Sequence, residues 1–204
     1  MDTKKIVIPG DLLTTQKKKL GQNVYLENDA IYSSVIGILS ESPYYVSVIA
    51  LNGPYIPAIG DAIIAVAKAE IVNGYFFDIN SSGEIYLQKS VISKELKIGN
   101  VIFARIKNIN ESDSIELDNI NVLPVGSLYS TSPVKVPRLI GKNDSMLNLF
   151  KEYTQSSILI GKNGWIWYVS KKPDLLEKAI NLVVNNSQKS NLTNSIKEFL
   201  EKNV

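Results

Sequence analysis

Between Lys5 and Leu51 the apolar positions come in short bursts rich in Ile, Val and Tyr, each cut off by turn formers. Lys5 to Ile8 stops at Pro9-Gly10, and Ala30 to Leu39 and Tyr44 to Leu51 are separated by Glu41-Ser42-Pro43. Bursts of this kind read as strands. Asn52-Gly53-Pro54 and Pro57 close the segment, so residues 1–59 are expected to form a small β domain that needs something to lean on. From Gly60 five further strands follow at regular spacing, over Ala62–Val72, Tyr75–Ile79, Glu84–Leu87, Val101–Asn108 and Ser114–Ile120. Asn73-Gly74, Ser81-Ser82-Gly83 and Ile98-Gly99-Asn100 supply the turns. Five strands in about 60 residues suit a small barrel of the OB kind over residues 60–126, with a sandwich edge as the alternative.

Residues 127–204 change period. After an extended Ser132-Pro133-Val134-Lys135-Val136-Pro137, the stretch Ser145 to Tyr153 puts Met146, Leu149, Phe150 and Tyr153 on one helical face, with Asp144 or Ser145 as its N-cap. Ser157–Ile160 and Trp165–Ser170 read as strands joined across Gly161-Lys162-Asn163-Gly164, where Asn-Gly favours a tight hairpin. A helix begins at Pro173 with Leu175, Leu176, Ala179, Ile180 and Val183 as its buried stripe, and another follows from Leu192 with Ile196, Phe199 and Leu200 facing inward. With a short first helix at Arg138–Gly141, the order strand, helix, helix, strand, strand, helix is that of a KH module. The fold class expected is therefore α+β and multidomain.

Composition removes whole classes of chemistry. The chain has 204 residues with no Cys and no His, which excludes disulfides, the usual structural zinc sites, Ser-His-Asp triads and Cys-His pairs. The longest apolar run is broken by Lys68 and Glu70, well short of the roughly 18 residues a membrane span needs. Lys4 and Lys5 precede too few apolar residues for a signal-peptide core. A soluble, cytoplasmic chain is expected. The formal charge of +2 hides an uneven distribution, zero over residues 1–59, −3 over 60–126 and +5 over 127–204. Such asymmetry suggests modules with different partners.

Three stretches carry a resemblance: Val7-Ile8-Pro9-Gly10-Asp11-Leu12-Leu13, Gly74-Tyr75-Phe76-Phe77-Asp78-Ile79, and Val134-Lys135-Val136-Pro137-Arg138-Leu139-Ile140-Gly141-Lys142-Asn143. Together with the later Gly161-Lys162-Asn163-Gly164-Trp165-Ile166-Trp167, they run in the order seen in the RNA-binding cap subunits of the archaeal exosome, the family of ribosomal-RNA-processing protein four. The resemblance spans nearly the whole chain. It implies an amino-terminal β domain, an S-one-type OB domain and a KH domain. It also implies a role without catalysis or cofactor: three copies on a hexameric ring of phosphorolytic exoribonuclease subunits, guiding single-stranded RNA through the entrance. A zinc-ribbon cap protein of the same assembly would need cysteines.

The candidate contacts follow from how OB and KH surfaces hold single strands, by stacking bases on aromatics and tracking phosphates with basic side chains. Tyr75, Phe76 and Phe77 alternate across the second barrel strand, so at least one is ordinary core. In the family pattern the exposed aromatic is Phe76, and Tyr86 falls where a His often stands. For both, RNA contact and core remain open. Lys89, Lys94, Lys97, Arg105 and Lys107 are phosphate contacts or a solvated face. Lys135, Arg138 and Lys142 belong to the KH module, whose Gly-x-x-Gly loop is here Gly141-Lys142-Asn143-Asp144, with a carboxylate in the last place. Trp165 and Trp167 read as packing or subunit interface. Asp11-Leu12-Leu13 and Lys17 to Lys19 are docking candidates for the ring. Asp113, Glu116 and Asp118 form a loose carboxylate cluster in a turn and an exposed strand, with alternation separating Asp113 from the other two. The competing readings are a stand-alone OB/KH translation or transcription factor and a passive structural clamp of the ring.

Overall fold

The computed structural model describes residues 5–92, 94–110, 114–189 and 191–203. It divides into two compact units, residues 1–53 and 54–204. The first holds β1 (Ile6–Val7), β2 (Leu12–Thr14), β3 (Lys19–Leu20), β4 (Val24–Glu27), β5 (Ala30–Ser33), β6 (Gly37–Glu41) and β7 (Tyr45–Ala50). Two small sheets result, in the orders β1-β6-β7-β3 and β2-β5-β4. The single strand expected over Ala30 to Leu39 is two strands in different sheets. The break falls at Ser34-Val35-Ile36, where the buried Ser33 hydroxyl donates to the Val35 carbonyl at 2.7 Å and turns the chain. A core of Val7, Leu13, Ile31, Val46 and Val48 holds the unit together. β2, β3 and β4 escape a periodicity reading because they are short and mostly exposed.

In the second unit β8 (Ala62–Ile71), β9 (Gly74–Asp78), β10 (Glu84–Gln88), β11 (Val101–Ile109) and β12 (Ile115–Val122) form one antiparallel sheet in the order β10-β9-β8-β11-β12. All five expected barrel strands are present, with ends shifted by a residue or two. The sheet curls around Ile63, Ala65, Ala67, Phe77, Ile85, Ile102 and Ile106, so alternate residues of each strand point inward. A register shift between Ala67 and Ala69 places Lys68 on a β-bulge.

The KH-type part is β13 (Ser127–Ser130), α1 (Val136–Ile140), α2 (Ser145–Thr154), β14 (Ser156–Ile160), β15 (Trp165–Ser170), α3 (Pro173–Asn185) and α4 (Leu192–Asn203). Its sheet order is β13-β15-β14, and the helices cover one face through Leu139, Phe150, Ile166, Tyr168, Leu176, Ile180 and Ile196. Two details differ from expectation. The first strand is Ser127–Ser130 rather than the Ser132–Pro137 stretch, because Pro133 and Pro137 each sit in the first turn of a helical segment, where a missing N–H costs nothing. Asp144 makes no side-chain capping bond to α2; it takes a left-handed backbone conformation instead.

Candidate nucleic-acid interface

Strand alternation sorts the three barrel aromatics. Tyr75 and Phe77 are 1% and 0% exposed, while Phe76 stands outward, directly across the ladder from Tyr86. The Phe76 and Tyr86 rings are 5.5 Å apart at an interplanar angle of 50°, and Tyr86 is 39% exposed. Tyr75, one of the candidate contacts, is thus a core residue: its hydroxyl accepts the Leu96 N–H at 3.2 Å. An aromatic pair tilted across two strands is a stacking surface of the kind a base plane can join.

Lys68 flanks this pair, its Nζ 2.6 Å from Glu84 Oε1, with Glu84 on the same face of β10 as Tyr86. That contact raises the Lys68 pKa above its ordinary value, keeping the ammonium charged. Reading the sequence for binding residues passes over Lys68. The signal was there, a cation in a mostly apolar strand, and alternation from the inward Ile63, Ala65 and Ala67 already points it outward.

The other candidates lie in separate places. Lys89 pairs with Glu70 at 2.6 Å and sits 5.4 Å from the Tyr75 ring centroid. Lys94 lines a cavity of about 260 Å³ together with Tyr75, Lys89, Ile92 and Glu95. Arg105 and Lys107 face outward on β11, alternating with the inward Ala104 and Ile106. Lys135 donates to the buried Ser187 hydroxyl at 2.9 Å, tying the start of α1 to the turn after α3. Arg138 and Lys142 are exposed, on α1 and just beyond it. Of the carboxylate cluster, Glu116 and Asp118 are on β12, and Asp113 lies outside the described residues. No three His, Cys, Asp or Glu side chains converge on a metal position among the described residues. No helix among them is long and apolar enough to cross a membrane.

The two Gly-Lys-Asn loops have opposite surroundings. Gly141-Lys142-Asn143-Asp144 is open to solvent from Lys142 to Asp144, with Asn143 at φ 51° and Asp144 at φ 59°. In Gly161-Lys162-Asn163-Gly164, Asn163 is 0% exposed and bonded into the barrel. Its Oδ1 accepts from the Ile64 N–H at 3.2 Å, and its Nδ2 donates to the carbonyls of Ile64 and Ile79 at 2.6 and 2.9 Å. Asn80 Nδ2 donates to the Asn163 carbonyl at 2.6 Å, and the Lys162 N–H to the Ala62 carbonyl at 2.8 Å. Asp61 completes the joint, accepting the Tyr55 hydroxyl at 2.9 Å and pairing with Lys162 at 3.2 Å. This loop joins the barrel sheet to the KH-type part, with its asparagine buried and its lysine largely exposed beside Asp61. Trp167 is buried in the row Leu128–Trp167–Leu159, as packing.

An OB-type sheet locked to a KH-type module, following a small β unit along the chain, defines a modular protein of the class whose folds present surfaces to single strands. Residues 4–52 match the family model described as the exosome RNA binding protein RRP4 N-terminal domain. The exosome complex component Rrp4 of Methanosarcina mazei is 39% identical over 97% of this chain and 82% of its own length. Its counterpart from Pyrococcus furiosus is 35% identical over 98% and 84%, and that from Nitrosopumilus maritimus 34% identical over 98% and 97%. A crystal structure described as an exosome complex RNA-binding protein superposes with a TM-score of 0.66 at 26% identity, covering 74% of this chain and 97% of that one. The chain belongs to the Rrp4 family of exosome complex components.

Proposed function

We propose that this chain is a non-catalytic RNA-binding cap subunit of an archaeal-type exosome, which recruits single-stranded RNA and threads it into a phosphorolytic ring. The observation that carries the reading is the outward Phe76–Tyr86 pair with Lys68 beside it, on the strand face that OB folds use for single strands. Asp78 and Glu84 share that face, so each copy grips weakly. Three copies around one opening would compensate by raising the effective concentration of binding sites. Arg105, Lys107, Lys89, Lys94, Arg138 and Lys142 add sequence-independent attraction for phosphate that falls with salt. Lys135 acts on RNA only if it leaves Ser187.

The amino-terminal unit supplies the ring contact in this reading. Ile6, Ile38 and Ile49 stand opposite one another across β1, β6 and β7, on the face away from Val46 and Val48, and Ile6 and Ile49 are exposed. Such a row is an apolar docking surface. The clamp alternative predicts assembly without RNA contact. The test is turnover of long and short RNA by the reconstituted complex. Phe76→Ala with Tyr86→Ala should slow degradation of long substrates at least about five-fold, from loss of about 1 kcal/mol or more per stacked base, and leave short ones unaffected. Equal turnover of long RNA with and without the aromatics would favour the clamp.

A further inference from the structure

The outer face of β9 carries a glycine that the turn before it does not need. Val72 and Asn73 make that turn, and Gly74 is already in the strand, paired with Ile71 on one side and Gln88 on the other. The glycines at positive φ are Gly10, Gly60, Gly99, Gly141 and Gly164, so no left-handed conformation asks for a glycine at position 74. Alternation from the inward Tyr75 and Phe77 sends Gly74 to the outer face with Phe76, yet Gly74 is buried. Something on that face covers it.

The cover is Tyr86. It stands across the ladder from Phe76 and diagonal to Gly74, within reach of an aromatic side chain. A Cβ built on Gly74 would fall 2.4 Å from Tyr86 Cε2, 2.7 Å from its Cζ and 2.4 Å from the Leu87 carbonyl oxygen. The hydroxyl-bearing edge of the ring therefore rests on bare backbone, and any side chain at 74 must lift the ring or shift the end of β10. From this seat Tyr86 stays 39% exposed with its ring 5.5 Å from that of Phe76. A ring already seated on the strand has less freedom to lose when a base lands on it, which favours stacking.

We propose that Gly74 is a positioning residue for single-stranded RNA: its missing side chain seats the Tyr86 ring in the orientation on which a base stacks. It touches no base and acts through Tyr86, so the inference rests on the stacking role proposed above.

The test is a double-mutant cycle on the full chain, with unmodified protein, Gly74→Ala, Tyr86→Ala and the two combined, reading affinity for a labelled oligoadenylate alongside thermal melts. Tyr86→Ala should weaken binding about five-fold or more, and Gly74→Ala by a comparable factor. The combined variant should bind within about two-fold of Tyr86→Ala alone, because without the ring the glycine has nothing to seat. Full affinity in Gly74→Ala, with loss in Tyr86→Ala, overturns the proposal and leaves the stacking reading standing. Full affinity in Tyr86→Ala overturns both. A further loss of about five-fold on adding Gly74→Ala to Tyr86→Ala also overturns it, since the glycine would then serve the strand alone. The unmodified chain gives a readout that does not depend on how Gly74→Ala folds. The Gly74 Hα resonances should lie upfield of their positions in Tyr86→Ala, through the ring current, and stay there when oligoadenylate saturates the protein. Loss of that shift at saturation would mean that the ring leaves Gly74 in order to bind, and would overturn the proposal.

Discussion

Two tetrapeptides in the KH module, Gly141-Lys142-Asn143-Asp144 and Gly161-Lys162-Asn163-Gly164, share their first three residues and nothing of their surroundings. The first joins two helices in water and keeps its side chains exposed. The second closes a hairpin, and its asparagine is consumed by three bonds to the barrel backbone. Burial sets the difference. An exposed Asn competes with water for modest gain, whereas a buried one that satisfies peptide groups on two strands cannot be removed without orphaning them. The fourth residue follows the same logic. Gly164 has φ 85° with the Thr131 carbonyl where a Cβ would be, so only glycine fits; at φ 59° Asp144 has open space and is tolerated in a left-handed conformation.

This contrast predicts a graded series of effects. Asn163→Ala should be the most damaging, leaving the Ile64 N–H and the Ile64 and Ile79 carbonyls short of partners, at a cost on the order of 3 kcal/mol or more in urea unfolding. It should also uncouple the barrel from the KH module, so that the variant unfolds in two separate transitions where the unmodified chain is expected to show one for this unit. Gly164→Ala comes next, at about 2 kcal/mol from left-handed strain and more if the Thr131 carbonyl cannot shift, read by the same melts. Lys162→Gln should cost less than about 1 kcal/mol, since its partner Asp61 keeps the Tyr55 hydroxyl and the lysine is largely exposed. Smallest is Asp144→Gly, with stability changed by under about 1 kcal/mol. Removing that carboxylate should raise oligonucleotide affinity by no more than about five-fold, because an exposed charge near a phosphate repels it by about 1 kcal/mol in water. Comparable destabilisation by Asn163→Ala and by Asn143→Ala would erase the distinction.

Periodicity carried the barrel and the KH helices well because their apolar stripes are long: Ala62 to Ile71 and Leu175 to Val183 each contain enough inward residues to declare a period. The amino-terminal unit was less legible. Strands of two to four residues such as Lys19–Leu20 have no period to show, and they exist because neighbours complete their hydrogen bonds. In the site, alternation correctly required a core aromatic among Tyr75, Phe76 and Phe77, and the structure buries two of them. The outward direction of Lys68 was legible from alternation with Ile63, Ala65 and Ala67, but its partner Glu84 was not, nor was the partner of Lys135, Ser187, 52 residues away. The hairpin reading of Gly161–Gly164 was available from Asn-Gly alone, but its role as a joint needed Ile64 and Ile79 in three dimensions.

The most direct test of where the second unit grips RNA is an amide NMR titration of the full chain with an oligoadenylate. The account predicts shifts within residues 54–204 concentrated at Phe76, Tyr86 and Lys68, with Gly161–Gly164 silent. Shifts confined to Gly141–Asp144, with the outer face of β9 and β10 unmoved, would contradict it.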